Sequence, residues 1–240
     1  MNTTARRADS GYNPIAEFQP WQFDFSDDLP AIPVLPETLL LLDLEAQERS
    51  VDLKRVAELV LSDLGATLQI LRLAGREHAC AEFRPSRIED CIVDLGVDVC
   101  LQALSAHTVS RREGQREIVE TWAHCKEIAT LARQIAEESQ DADPGEAYLT
   151  GLLHAIGLLP AVLGWAASKH GVSDFSLAGF KLAKKWSLAP FVVKFLGEVN
   201  EEHCTTPLPE IVREAHRRAD RSTIQCPLDQ GFGPVLYRTP

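Results

Sequence analysis

The sequence predicts an all-α fold, a multi-helix bundle with an N-terminal helical half and short unstructured tails. Two observations carry that prediction. Apolar residues recur at i, i+3, i+4 and i+7 in one segment after another, the spacing that lines one face of a helix. Strand signals are missing from the same segments: there is no Asn-Gly or Asp-Gly hairpin turn, no alternating β-branched run and no repeat of fixed period. With 240 residues, 45% hydrophobic and 25% charged, the chain is long and apolar enough to bury a substantial core.

Residues 1–28 read as an arm. They mix aromatics with Gly, Pro and acids and show no steady period, which fits a partly ordered tail or, since Trp21, Phe23 and Phe25 alternate, an extended strap whose aromatics dock on a groove. "LPAIPVLPE" then places prolines at 30, 33 and 36, which forbid a helix before Pro36 and suit one starting there. "SVDLKRVAELVLSD" repeats Leu53, Val56, Ala57, Val60 and Leu61, with Ser50 or Asp52 placed to cap the helix. Asp63 is placed to cap a third helix whose stripe is Leu64, Leu68, Leu71 and Ala74, with Gly75 as its stop.

Two shorter helices follow, broken near Gly96. "RREGQR", residues 111–116, separates the two helical halves. The next helix is long and puts Ile118, Trp122, Cys125, Ala129, Ala132 and Ala136 on one face. Asp143-Pro144-Gly145-Glu146 combines a capping box with proline at the first helical position, and the helix it opens carries His154 among Gly, Leu, Ala and Ile. "DFSLAGFKLAKKW", "LAPFVVKFLGEVNEEHC" and "PEIVREAHRRADR" predict three further helices, so the helical domain runs over 29–222 and 223–240 is a tail.

The formal net charge of −11 argues against sequence-independent binding of DNA or RNA, which needs many Lys and Arg contacts to phosphate. The six cysteines, at 80, 91, 100, 125, 204 and 226, form no C-x-x-C pair, so no zinc ribbon or redox motif is visible. The start of the chain lacks signal-peptide character, and no apolar run is expected to reach the ~18–20 residues needed to span a bilayer. These features predict a cytoplasmic protein with reduced thiols and no membrane partner.

A buried imidazole must satisfy its ring nitrogens, by a hydrogen bond or by a metal. His154 therefore raises the question of what faces it. His124, on the long helix beside Trp122, and Asp220, in the last helix, are the two residues able to converge with it in a bundle core. His78, His107, His170, His203 and His216 stand in polar contexts, and surface exposure is the expectation for them.

The order "W-x-H" on a helix, then "GLLHxIG", then a distant "AD" resembles the HD superfamily of metal-dependent phosphohydrolases, whose pattern is H…HD…D. His124 falls on the first His, His154 on the His of the HD pair and Asp220 on the last Asp. The Asp of the pair falls on Ala155. More of the chain resembles the HDOD (HD-related output) branch. "LPAIPVLPE", "LSDLGATLQILRLAGRE" (Leu64 for Pro, Gly75 for Asn), "RIEDCIVDLG", "GLLHAIG" and "WSLAP" occur in that family's order over roughly residues 29–222.

The paired Asp of a working HD site supplies a hard oxygen ligand to an ion that polarises phosphoryl oxygen and activates water. A methyl group does neither. His124, His154, Ala155 and Asp220 are therefore read as vestigial metal-site positions, with no catalytic residue, no metal and no cofactor expected, and with His124 or Asp220 as the partner of His154. The resemblance implies a non-catalytic bacterial signalling module that binds a signalling protein or small-molecule ligand in trans. The alternative is a phosphohydrolase acting on nucleotides or cyclic dinucleotides through an altered mononuclear site made of two His and one Asp, with Arg111, Arg112 and Arg116, or Lys184 and Lys185, on phosphate.

Overall fold

Pro36 begins the first helix in the computed structural model of the protein: α1 spans Pro36–Ala46, with proline in its first turn. The chain divides into two units, Met1–Pro30 and Ala31–Pro240. The described residues are 32–77, 87–106, 115–163, 175–198 and 204–220, all in the second. Trp21, Phe23, Phe25, Arg111, Arg112 and the tail at 223–240 lie outside them.

Among the described residues every regular element is helical, and the caps and breaks are largely those the sequence dictates. Asp52, rather than Ser50, caps α2 (Leu53–Leu61), accepting from the backbone N–H groups of Lys54 at 2.9 Å and Arg55 at 3.3 Å. Val56, Ala57 and Val60 of the expected stripe are buried and Leu59 joins them, whereas Leu53, at the helix start, stays 41% exposed. Gly75 does not stop α3, which runs Leu64–Glu77. A Cβ there would lie 2.9 Å from the carbonyl oxygens of Trp186 and Ser187, so this glycine serves close packing rather than a cap. The break between α4 (Ile88–Leu95) and α5 (Val97–Ser105) is Gly96, whose φ of 83° suits glycine.

Asp63 does more than cap α3. It is fully buried, and its Oδ1 accepts from the Ala66 N–H at 3.1 Å and from Trp122 Nε1 at 3.0 Å, while Oδ2 accepts from the Leu35 N–H at 2.7 Å. One carboxylate thereby joins the Pro-rich entry strap, the start of α3 and the long helix α6 (Gln115–Ser139). Gln69 ties the same strap from the other side, donating to the Ile32 carbonyl at 3.0 Å.

The predicted buried face of α6 holds: Trp122, Cys125, Ala129, Ala132 and Ala136 are buried and Ile118 is half-buried. Its main partner is α7 (Pro144–Leu153), capped by Asp143, which accepts from the Glu146 N–H at 2.9 Å. The two helices approach at Gly151, where a Cβ would fall 2.7 Å from the Ala129 Cα. Gly151→Ala is expected to force them apart and cost about 1–3 kcal/mol, outweighing the ~1 kcal/mol gain in helix propensity, seen as a lower urea midpoint at unchanged m.

The predicted helix through His154 is broken. α7 ends at Leu153, a 3₁₀ turn covers Ile156–Leu158, and α8 (Leu159–Val162) follows with Pro160 in its first turn. Proline lacks an N–H and its ring crowds the carbonyl four residues back, so one straight helix cannot continue through it. Against the expectation that no apolar run is long enough to span a bilayer, the 19 residues Pro144–Val162 are long and apolar enough, but 78% of their most apolar window is buried inside the protein, as befits a core segment.

α9 (Phe175–Lys185), α10 (Pro190–Glu198) and α11 (Leu208–Asp220) complete the domain. α11 lies against α6, with Ile211, Val212, Ala215, His216 and Ala219 buried. Arg218 reinforces the contact from outside by a two-point pair with Glu138, at 2.9 and 3.3 Å, though exposed pairs of this kind contribute little.

Candidate functional site

The histidine that the sequence singled out has two imidazole neighbours. His124 comes from the middle of α6, His154 from the residue that terminates α7, and His216 from α11. Ring centroids lie 5.3 Å apart for His124–His154, 5.2 Å for His124–His216 and 4.7 Å for His154–His216. All three side chains are buried, His216 most completely at 2% exposure. One nitrogen from each ring lies within 4.8 Å of the others.

This corrects the reading of His216 as a surface residue. "REAHRRADR" looks polar because the outward face of α11 is crowded with Glu and Arg. A helical count from Val212 shows the opposite for position 216, which stands four residues beyond Val212 and three before Ala219, both buried. His78, His107, His170 and His203 lie outside the described residues. Asp220 closes α11 one turn after His216, and its side chain is likewise outside them.

His154 Nδ1 lies 2.6 Å from the Gly151 carbonyl oxygen. A carbonyl only accepts, so Nδ1 carries the proton. Burial, reinforced by His216 and His124, holds the His154 pKa well below its ordinary value of 6.5, against the Gly151 hydrogen bond. The ring is therefore neutral, with its lone pair on Nε2. His216 is pushed down to about 3, first by burial and then by His124.

Ala155, adjoining His154, is completely buried. Among the described side chains the cluster contains no Asp or Glu. A cavity of about 270 Å³ lies elsewhere, lined by Arg87, Glu89, Arg133, Glu146 and Tyr148 among others, and by none of the three histidines.

The family model for the HDOD domain matches residues 32–170, more than half of the chain. The chain belongs to the HDOD family. No curated protein matches it significantly. Among solved structures, this HDOD chain shares its fold with the MmoQ response regulator of Methylococcus capsulatus. Two structures of that protein superimpose with TM-scores of 0.64 and 0.63 at 17% and 19% identity, covering 87% and 88% of this chain and 94% and 92% of those. An HDOD domain protein of unknown function from Geobacter sulfurreducens also matches, at 22% identity over 81% of this chain and 74% of that one, with a TM-score of 0.33.

The cluster has a stability signature in metal-free HDOD protein. The unfolded chain takes up protons on His154 and His216 as pH falls through 6.5, while the folded chain, in which both pKa values are depressed, refuses them. Their contribution is thus complete above pH 6.5 and is lost progressively toward acid. For His216, with its folded value of about 3, the loss amounts to about 2 kcal/mol between roughly pH 7.5 and pH 5. Asp63 acts in the opposite sense, because burial raises its pKa above 3.8. Urea melts across this range in the presence of chelator are expected to show the net loss, and His216→Leu is expected to flatten it.

Proposed function

We propose that this HDOD chain is a non-catalytic regulatory module that signals by binding a signalling protein or small-molecule ligand in trans, and that its HD-type hydrolytic site is degenerate. The observation that carries this reading is Ala155. A buried methyl stands at the position that the HD pattern reserves for a bridging carboxylate, so the oxygen ligand that would hold the hydrolytic ions is missing there.

The surroundings of Ala155 support the same reading. All three histidines are buried, which restricts access of a phosphorylated substrate to them. The net charge of −11 makes a nucleic-acid partner unfavourable.

The test is a panel of phosphomonoesters, nucleotides and cyclic dinucleotides, assayed with Mn²⁺, Fe²⁺ or Zn²⁺ added. Wild-type protein is expected to show no turnover above buffer. Turnover that disappears in both His124→Ala and His154→Ala would overturn the proposal.

A further inference from the structure

We propose that His124, His154 and His216 form a mononuclear binding site for Zn²⁺, and that the ion clips α11 to α6 and to the end of α7. This inference goes beyond the regulatory reading and does not depend on it. It also departs from the metal-free expectation drawn from the sequence, because the third ligand was hidden in a helix that looked like surface. The set also differs from the H…HD…D pattern at two points: Ala155 contributes no donor, and His216 supplies an imidazole that the pattern does not include.

The geometry is close to what the ion needs. Three nitrogens within 4.8 Å of one another have a common point no more than about 2.8 Å from each. Reaching a Zn–N bond of ~2.1 Å requires each nitrogen to move inward by at most ~0.7 Å. Small rotations about χ1 and χ2 of an imidazole cover that distance without moving a helix.

The chemistry selects the ion class. Three neutral imidazoles are borderline nitrogen donors. Mg²⁺ and Ca²⁺ favour oxygen ligands, whereas the three side chains brought together here all offer imidazole nitrogen. Zn²⁺ accepts three histidines readily and takes a small molecule such as water in the fourth tetrahedral position. His154 is already prepared for the role, since its Nδ1–H donates to the Gly151 carbonyl and fixes Nε2 as the ligating atom. That outer hydrogen bond is the usual means of orienting a metal-bound histidine.

The placement states what the ion would do. His124 and His216 are 92 positions apart in the sequence, on helices held together otherwise by core packing and by exposed ion pairs such as Arg218–Glu138. A shared ion makes the seating of α11 depend on metal availability. The metal thereby regulates the fold, independently of any reaction.

The experiment uses untagged full-length protein, freed of metal by chelator and dialysis, with Zn²⁺ itself as the probe. Titration calorimetry is expected to give one equivalent per chain, with a rise in Tm, and Co²⁺ substitution is expected to give the intense visible bands of a four-coordinate site. His124→Ala, His154→Ala and His216→Ala are each expected to weaken binding at least tenfold. His216→Leu keeps the core filled and serves where alanine unfolds the protein, with helicity checked by circular dichroism. Substoichiometric zinc in the wild type, or full zinc binding retained by folded His216→Leu, overturns the proposal. Phosphohydrolase activity in a zinc-binding protein would overturn the regulatory reading alone, and an inactive protein without zinc would overturn this inference alone.

Discussion

Asp63→Ala is expected to remove roughly 3–5 kcal/mol of unfolding free energy, placing it among the most damaging single substitutions in the chain. The carboxylate accepts hydrogen bonds in a site closed to water, among them those from the N–H groups of Leu35 and Ala66 and from the Trp122 indole. Alanine leaves all three donors without their acceptor, and each buried unmatched donor costs about 1–3 kcal/mol. Asp63→Asn is expected to be milder but still costly, because one oxygen becomes an NH₂ facing an N–H. Equilibrium urea denaturation followed by tryptophan fluorescence measures both. A loss below about 1 kcal/mol for the alanine variant would show that the three-way junction contributes little.

Gly157→Ala is expected to cost about 3 kcal/mol, at the upper end of what overpacking produces. A Cβ at this position would lie 1.8 Å from the Phe175 carbonyl oxygen and 3.0 Å from the Gly179 nitrogen, both rigid backbone atoms. The clash can be relieved only by displacing α9 or the 3₁₀ turn that follows His154. Gly145→Ala is the matched control. Its only close contact is the Asp143 side-chain oxygen at 3.0 Å, and it sits exposed in the first turn of α7. That substitution is expected to be neutral or to stabilise by about 0.5–1 kcal/mol. Equal losses for the two variants, compared by thermal melts, would refute the close-approach explanation.

The helices were legible because their information is local. Periodicity exposed the buried face of α6, and the Asp52, Asp63 and Asp143 caps act within three residues of themselves. The family blocks were legible for the same reason, as short strings in order. What remained hidden depends on contacts distant in sequence. Nothing near Asp63 announces that Trp122, 59 positions away, donates to it. Gly75 carried the signature of a helix stop, and only the turn after α9 explains why a glycine stands inside a continuing helix. The break at His154 was announced by Pro160, but the length of the apolar run obscured it. His216 was misjudged because charge density was weighed above helical phase: four Arg and Glu neighbours occupy the outward face, while the buried stripe of α11 passes through position 216.

The cluster also has a consequence for how such a site is inherited. His124 and His154 lie inside the segment, residues 32–170, by which the family is recognised, whereas His216 belongs to a helix beyond it. Family membership and ligand set are therefore separable in this architecture. On the zinc site proposed above, two chains with the same core segment would differ in metal affinity through a single turn of their last helix. Exchanging α11 between such chains would transplant the third imidazole without touching a residue of the core segment, leaving selection free to tune metal response and family fold independently.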